Sequence, residues 1–291
     1  MADRPRFGPA GVPPAFKDLK RPVFEFPRYL HDEGLNAFEY QAVRWGAKPQ
    51  MKREDAEALG ANAKKHDVWL SVHGSYFINL CGERETIEAS KHRLIACATA
   101  ANWMDAHVVV FHPGFYGKRT TREALELCVE AMGEVVESMR SLGIGKVHLG
   151  PETTGKPSQL GRLDEILKLC ERVESTEPII DWAHIHARER GRLKTADDFR
   201  KVIDDAEKRL GTDAIKNLHC HYTRVEFTEK GERRHHTMNE VEYGPNFQPL
   251  ASLIAELGLR PVVISESPIL DIDAQKMRDI VLRELEEKRR P

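Results

Sequence analysis

Short apolar runs alternate along the chain with longer segments whose apolar residues recur at helical spacing. Runs rich in β-branched residues predict buried strands, and a period near 3.6 predicts amphipathic helices. Eight strands are predicted, at residues 4–8, 36–40, 68–73, 107–112, 146–152, 178–181, 215–221 and 261–266. Helices are predicted at residues 52–65, 84–103, 121–142, 161–174, 195–210, 247–257 and 272–288.

Strands that alternate with helices pair in parallel through right-handed crossovers. Eight such units predict a (β/α)8 TIM barrel, an α/β fold that forms a single domain over residues 1–291. Residues 13–34 contain several prolines, so any helix there is expected to be short or broken. A nucleotide-binding open sheet would need GxGxxG after the first strand. The segment Gly8–Gly11 does not supply it, which predicts no nucleotide cofactor.

Imidazoles and carboxylates stand at the ends of six consecutive predicted strands, where TIM-barrel active sites lie. They are His73, His112, Glu152, Asp181, His184, His219, His221 and Glu266. Any one of them alone is more typical of a hydrogen-bonded structural residue. The repeated pattern at one end of the barrel instead predicts a metal centre, because these are the ligands that divalent ions bind. So many groups are enough for two or three ions that share a bridging carboxylate.

Composition limits the other possibilities. The 44 Lys and Arg residues balance 46 Asp and Glu, so overall charge gives no basic footprint of nucleic-acid binding. Five scattered cysteines without a Cys-x-x-Cys pair predict buried thiols. No apolar run approaches 18 residues, which predicts no membrane association. The polar, proline-rich N-terminal segment lacks the apolar part of a signal peptide and predicts a cytoplasmic protein.

Six of the motifs at these strand ends resemble those of the endonuclease IV family of apurinic/apyrimidinic endonucleases, and in particular its archaeal-type branch. They read HGSYFINL, VVFHPGFYG, GPETTGK, IIDWAHIHAR, LHCHYTRVEFTEKGERRH and VISESP. The resemblance implies a TIM barrel with a trinuclear zinc cluster, with manganese as a possible substitute. It also implies hydrolysis of the phosphodiester bond 5′ to an abasic site in double-stranded DNA.

The resemblance assigns roles by position. Glu152 is implied to be the catalytic carboxylate that bridges two ions. His73 and His112 are implied to complete one of these sites. The other would be completed by Asp181, His219 and Glu266.

The implied third site departs from the family pattern. It would hold His184 and a histidine from the loop after the seventh strand, where the family has Asp-x-His. This chain has GERRHH, so His235 is the predicted histidine. The carboxylate position is left open between Glu232, a replacement by His221, and a weakened or missing third ion.

Tyr76 matches a family tyrosine that enters the DNA at the lesion, and Arg188 is predicted to face the DNA substrate. Two other functions remain open at this point. A sugar-phosphate isomerase or epimerase would use only Glu152, Asp181, His219 and Glu266 around one divalent ion. A metal-dependent protein that binds damaged DNA without cleaving it would keep the binding surface and lose turnover.

Overall fold

The structure, a computed structural model, describes residues 3–289. Twelve strands occur within these residues. They are β1 (Arg6–Pro9), β2 (Ala37–Gln41), β3 (Trp69–His73), β4 (Val108–Phe111), β5 (Gly114–Phe115), β6 (His148–Pro151), β7 (Gln159–Leu160), β8 (Ile179–Asp181), β9 (His219–Tyr222), β10 (Arg224–Thr228), β11 (Gly231–His236) and β12 (Val262–Ser265).

Eight of these strands are parallel and form a closed barrel. Two four-stranded sheets, in the orders β2-β3-β4-β6 and β1-β12-β9-β8, make its two halves. The halves meet at two seams, where isolated bridges pair Ala10 with Glu39 and Glu152 with Ile179. At the first seam Gly8 lies so close to β2 that a Cβ atom there would be 1.7 Å from the carbonyl oxygen of Ala37.

Helices surround the barrel. They are α1 (Pro14–Asp18), α2 (Phe26–Asp32), α3 (Arg53–Lys65), α4 (Arg84–Trp103), α5 (Thr121–Ser141), α6 (Leu163–Arg172), α7 (Trp182–Arg188), α8 (Ala196–Leu210), α9 (Thr212–Lys216), α10 (Gln248–Leu257) and α11 (Asp271–Arg289). The predicted TIM barrel is confirmed, as is the broken helical segment after β1. No described helix is both long enough and apolar enough to cross a membrane.

The remaining strands form two antiparallel ribbons in the loops at the carboxyl end of the barrel. β5 pairs with β7, and β10 pairs with β11 directly after the seventh barrel strand, β9. The main apolar core lies between the sheet and the helices, and small apolar clusters such as Val108, Val110 and Ile179 lie inside the barrel. The buried side chains of Glu39, His219 and His221 share that interior. The carboxyl end of the barrel therefore carries two ribbons, and polar side chains share the interior of the barrel with small apolar clusters.

Candidate metal centre

Potential metal ligands converge in three adjacent groups at the carboxyl end of the barrel. In each group, one nitrogen or oxygen atom per residue lies within 4.8 Å of every other member's. The groups are His73–His112–Glu152, Glu152–Asp181–His221–Glu266 and His184–Glu232–His235. Two further groups contain Glu39: one with His219 and His221 inside the barrel, and one with His73 and Glu266.

Glu152 connects the first two groups through its two carboxylate oxygens. Oε2 lies 3.4 Å from Nε2 of His73 and 3.1 Å from Nε2 of His112. Oε1 lies 3.1 Å from Nδ1 of His221 and 3.3 Å from Nδ1 of His184. Glu152 is fully buried, so one rigid carboxylate presents an oxygen to each group. This is the arrangement that a bridging ligand needs.

Asp181 sits where β8 passes into α7 without a connecting turn. Its Oδ1 accepts a hydrogen bond from the backbone N–H of His184 at 2.7 Å and caps the new helix. Its Oδ2 is buried without a hydrogen-bond partner. The helix fixes His184 one turn away, so a single junction supplies one residue to the second group and one to the third.

Three imidazoles are held so that Nε2 faces the centre. Nδ1 of His73 lies 3.0 Å from the carbonyl oxygen of Gly74, Nδ1 of His184 lies 2.7 Å from that of Thr153, and Nδ1 of His235 lies 3.1 Å from that of Glu266. Because a carbonyl oxygen only accepts hydrogen bonds, Nδ1 carries the hydrogen in each case. Nε2 then offers its lone pair, as in a metal-bound histidine.

The chemistry of these donors fits divalent ions. Buried polar atoms normally have hydrogen-bond partners, yet several atoms of the centre have none. They are His112 Nε2, Glu152 Oε2, Asp181 Oδ2 and His235 Nε2. All belong to residue types that zinc and manganese bind, and they come from elements that the fold holds rigidly.

The electrostatics of the centre also favour added positive charge. Burial lowers the pKa of His73, but the hydrogen bond and charge of Glu152 outweigh it and raise this pKa to about 9. Burial raises the pKa of Asp181 to about 6, even though His184 opposes the shift. Without ions, protons on the imidazoles offset the clustered carboxylates, and metal binding would release those protons.

The structure changes one pairing made from the sequence. His221, not His219, lies with Glu152, Asp181 and Glu266; its Nδ1 is 3.3 Å from Oε1 of Glu266. His219 lies deeper in the barrel, with Nε2 3.4 Å from Oε2 of Glu39. Both histidines point inward from β9, with His221 two residues nearer the carboxyl end of the barrel, and strand periodicity alone does not tell how far along the strand the ligand groups lie.

Glu39 was missed by the sequence analysis. The pattern of imidazoles and carboxylates at strand ends begins with the third predicted strand, and Glu39 lies in the second. A charged residue at an inward position of a buried strand is itself unusual, and this was the available signal. Burial raises the pKa of Glu39, but His221 and His219 outweigh this effect and hold it well below the ordinary value.

The third group is completed by Glu232, one of the replacements that the sequence left open. Its carboxylate lies 3.1 Å from Nε2 of His184 and 3.1 Å from Nε2 of His235. Residues three apart on a regular strand point to opposite faces. The pairing of β10 with β11 shifts here, however: Glu226 pairs with Arg234 and the next residue, Phe227, pairs with Glu232. Arg233 is thus an extra residue, and this β-bulge brings Glu232 and His235 to one face.

We expect Gly155→Ala to disturb the third group selectively. A Cβ atom at Gly155 would lie 2.8 Å from both Cβ and Oε2 of Glu232, and 3.1 Å from the ring of His184. Bound metal, counted by mass spectrometry after dialysis, should fall by one ion while the Glu152-linked groups stay loaded. Gly145→Ala is the control, because nothing lies within 4 Å of its added Cβ. Equal metal contents in the two variants would contradict the assignment of Glu232.

Of the two residues predicted to contact DNA, Tyr76 is exposed and Arg188 is hydrogen-bonded within the protein. Tyr76 is 60% exposed, and its ring centroid lies 5.6 Å from that of His73 at the mouth of the centre. The guanidinium of Arg188 donates to the carbonyl oxygens of Lys156 at 2.7 Å and Gln159 at 2.9 Å. Its donors also reach both oxygens of Thr154. Arg188 therefore holds the loop after β6, and these donors are not free for a phosphate.

Known proteins match this chain over most of its length. A family model described as "Xylose isomerase-like TIM barrel" matches residues 27–285. The chain belongs to this family. An uncharacterized protein of Methanocaldococcus jannaschii is 34% identical over 269 residues, which cover 92% of this chain and 93% of that protein. A probable endonuclease 4 of Finegoldia magna is 29% identical over 233 residues, 78% of this chain and 77% of that protein.

Solved structures of the xylose isomerase-like fold include enzymes of two kinds. Endonuclease IV from Thermus thermophilus matches with a TM-score of 0.68 and 20% identity, covering 91% of this chain and 94% of that one. A D-tagatose 3-epimerase-like protein matches with a TM-score of 0.63 and 17% identity, covering 90% and 93%. At these identities the matches show the fold, and the choice of chemistry depends on the site.

Proposed function

We propose that this chain is a metal-dependent DNA repair hydrolase of the endonuclease IV type, acting on the phosphodiester bond 5′ to abasic sites in double-stranded DNA. The observation that carries the proposal is the set of three adjacent ligand groups, two of them joined through Glu152. A single ion needs only three or four protein ligands. Three groups with nine members supply the donors for three ions, and phosphoryl chemistry is where adjacent ions are most useful.

Bound zinc or manganese ions would supply an activated water and neutralise the charge that builds on the phosphate oxygens. The protein residues set the geometry for this chemistry. Glu152 keeps the first two groups at a fixed separation, because its side chain is buried and each of its oxygens lies beside a histidine of a different group. Asp181 of the second group caps the helix that carries His184 of the third group, and this connection holds the third group beside the other two.

The position of Tyr76 supports a duplex DNA substrate. An enzyme that acts at a lesion in duplex DNA has to open the base stack, and an exposed aromatic ring can replace the lost stacking. Tyr76 stands beside His73 at the mouth of the centre, and the neighbouring Phe77 is 61% exposed. The matches to a probable endonuclease 4 and to endonuclease IV agree with a DNA substrate.

A sugar epimerase is the second candidate, and one observation favours it. Glu152, Asp181, His221 and Glu266 form a group that would hold a single ion, and an epimerase-like structure shares the fold. This chemistry leaves the first and third groups without a role. Metal stoichiometry separates the candidates: about one ion per chain indicates the epimerase, whereas two or three indicate the endonuclease.

The direct test is nicking of a duplex that contains one tetrahydrofuran abasic analogue. Protein loaded with zinc or manganese should cut on the 5′ side of the analogue and leave an undamaged duplex intact. Chelator-treated protein should lose this activity and regain it when metal is restored. Absence of nicking by fully loaded protein would refute the proposal, and tight binding to the duplex without turnover would indicate a damage-binding protein.

A further inference from the structure

Glu39 is a buried carboxylate to which the proposed reaction gives no role. It projects into the barrel from β2 and has no exposed surface. Ser71 donates to its Oε2 at 3.0 Å, and Gln41 donates to its Oε1 at 3.2 Å. These two donors orient the carboxylate. Burial of a carboxylate is costly unless it is hydrogen-bonded and paired, so its retention inside the barrel calls for an explanation.

The partner of Glu39 across the barrel is His221. Oε2 of Glu39 lies 3.1 Å from Nε2 of His221, although the two residues are 182 positions apart in the chain. The opposite ring nitrogen, Nδ1, is the atom that faces Glu152 and Glu266 at 3.1 and 3.3 Å. With an ion bound at Nδ1, the ring carries its one hydrogen on Nε2, where the carboxylate of Glu39 accepts it.

We propose that Glu39 is the positioning residue for His221: it fixes the ring orientation and tautomer that present Nδ1 as a metal ligand. The inference rests on the metal-binding part of the proposed function. His73, His184 and His235 have the same need, and backbone carbonyls meet it for them. His221 differs in two ways, because it uses the opposite nitrogen toward the centre and its anchor is a charged side chain.

A carboxylate that accepts the hydrogen bond of an imidazole strengthens metal binding more than a backbone carbonyl does. The hydrogen bond to an ionised acceptor is stronger, and the carboxylate raises the basicity of the imidazole toward an ion. Loss of such an outer partner typically weakens metal binding by about 10–100-fold. Glu39 should therefore control how tightly the Glu152–Asp181–His221–Glu266 group holds its ion, without itself contacting substrate.

The test compares Glu39→Gln and Glu39→Leu by zinc titration against a chromophoric chelator. Glutamine keeps an oxygen that accepts from His221 but loses the charge, whereas leucine removes both. We expect the affinity of one ion to fall by about tenfold in the first variant and about 100-fold in the second. The number of ions bound at saturation should stay unchanged. Nitrogen-15 NMR of the zinc-loaded protein should show a hydrogen-bonded Nε2–H on His221 in the wild type, and loss of that hydrogen bond in Glu39→Leu.

Glu177→Gln is the matched control, because Glu177 also lies near two histidines but precedes β8, at the opposite end of the barrel from the three ligand groups at its carboxyl end. It should leave zinc affinity unchanged.

Circular dichroism confirms folding of each variant, and Glu39→Gln keeps the proposal testable if Glu39→Leu does not fold. Affinities within twofold of wild type would overturn the proposal. So would a saturating count lower by one ion, because Glu39 would then itself be a ligand, with His219 and His221 or with His73 and Glu266. These measurements need no nicking activity, so they fail or succeed separately from the proposed function.

Discussion

Glu152→Gln is expected to remove nearly all nicking activity at abasic sites, with a rate loss of at least about 10³-fold, or about 4 kcal/mol. The substitution keeps the volume of the side chain but replaces one of the two oxygens that face separate ligand groups. It also removes a buried negative charge that the surrounding histidines require. Single-turnover nicking with saturating metal measures the rate, and mass spectrometry counts the ions that remain.

The metal count shows whether Glu152 has a bridging role. A bridging carboxylate serves two ions, so the variant should lose or weaken both and keep the ion of the His184–Glu232–His235 group. His112→Ala is the useful comparison, because His112 belongs to the first group alone and should cost a single ion. If Glu152→Gln loses no more metal than His112→Ala, the carboxylate does not bridge.

Gly8→Val is expected to be the most destabilising single substitution at the barrel seam. Any Cβ at this position would lie 1.7 Å from the carbonyl oxygen of Ala37, so β1 and β2 would have to separate. Overpacking of this kind costs about 3 kcal/mol or more. At about 2–4 °C per kcal/mol, the melting temperature should fall by roughly 6–12 °C. Calorimetry of the metal-free protein is the appropriate measurement, because bound ions stabilise the folded state separately.

Gly133→Ala provides a control of opposite sign. Gly133 lies within α5, and nothing is found within 4 Å of the position of an added Cβ. Alanine in a helix interior should stabilise the protein by about 0.5–1 kcal/mol. A destabilisation of about 1 kcal/mol would lower the melting temperature by about 2–4 °C. A melting temperature for Gly8→Val within about 2 °C of the wild type would therefore show that the seam accommodates the added side chain at little cost in stability.

The barrel itself followed from the sequence, because strand and helix periodicities differ and eight alternations leave few topologies. Its eight parallel strands lie within the predicted segments or one residue beyond them. The candidate ligands at strand ends could likewise be predicted from the sequence, since a rigid barrel brings the ends of its parallel strands together. His73, His112, Glu152, Asp181 and Glu266 needed only this rule to be placed near one another.

The unpredicted features depend on local geometry that a linear pattern does not record. The choice between His219 and His221 depends on how far β9 extends before the barrel opens, which is a matter of register. Glu232 joins the third group only because a bulge in β11 changes its face. Arg188 was predicted to face the DNA substrate, but the carbonyls of a neighbouring loop bind it. In each case, tertiary packing selected among residues that the sequence made equally plausible.

The ribbon of β10 and β11 has a consequence for metal exchange. It supplies Glu232 and His235, yet its two strands pair with each other and are not part of either barrel sheet. Small peripheral units of this kind open more readily than a barrel core. One ion should therefore leave by local opening of the ribbon, while the Glu152-linked pair remains until the barrel itself unfolds. Dissociation into excess chelator would then proceed in two phases, with amide hydrogen exchange in β10 and β11 following the faster one.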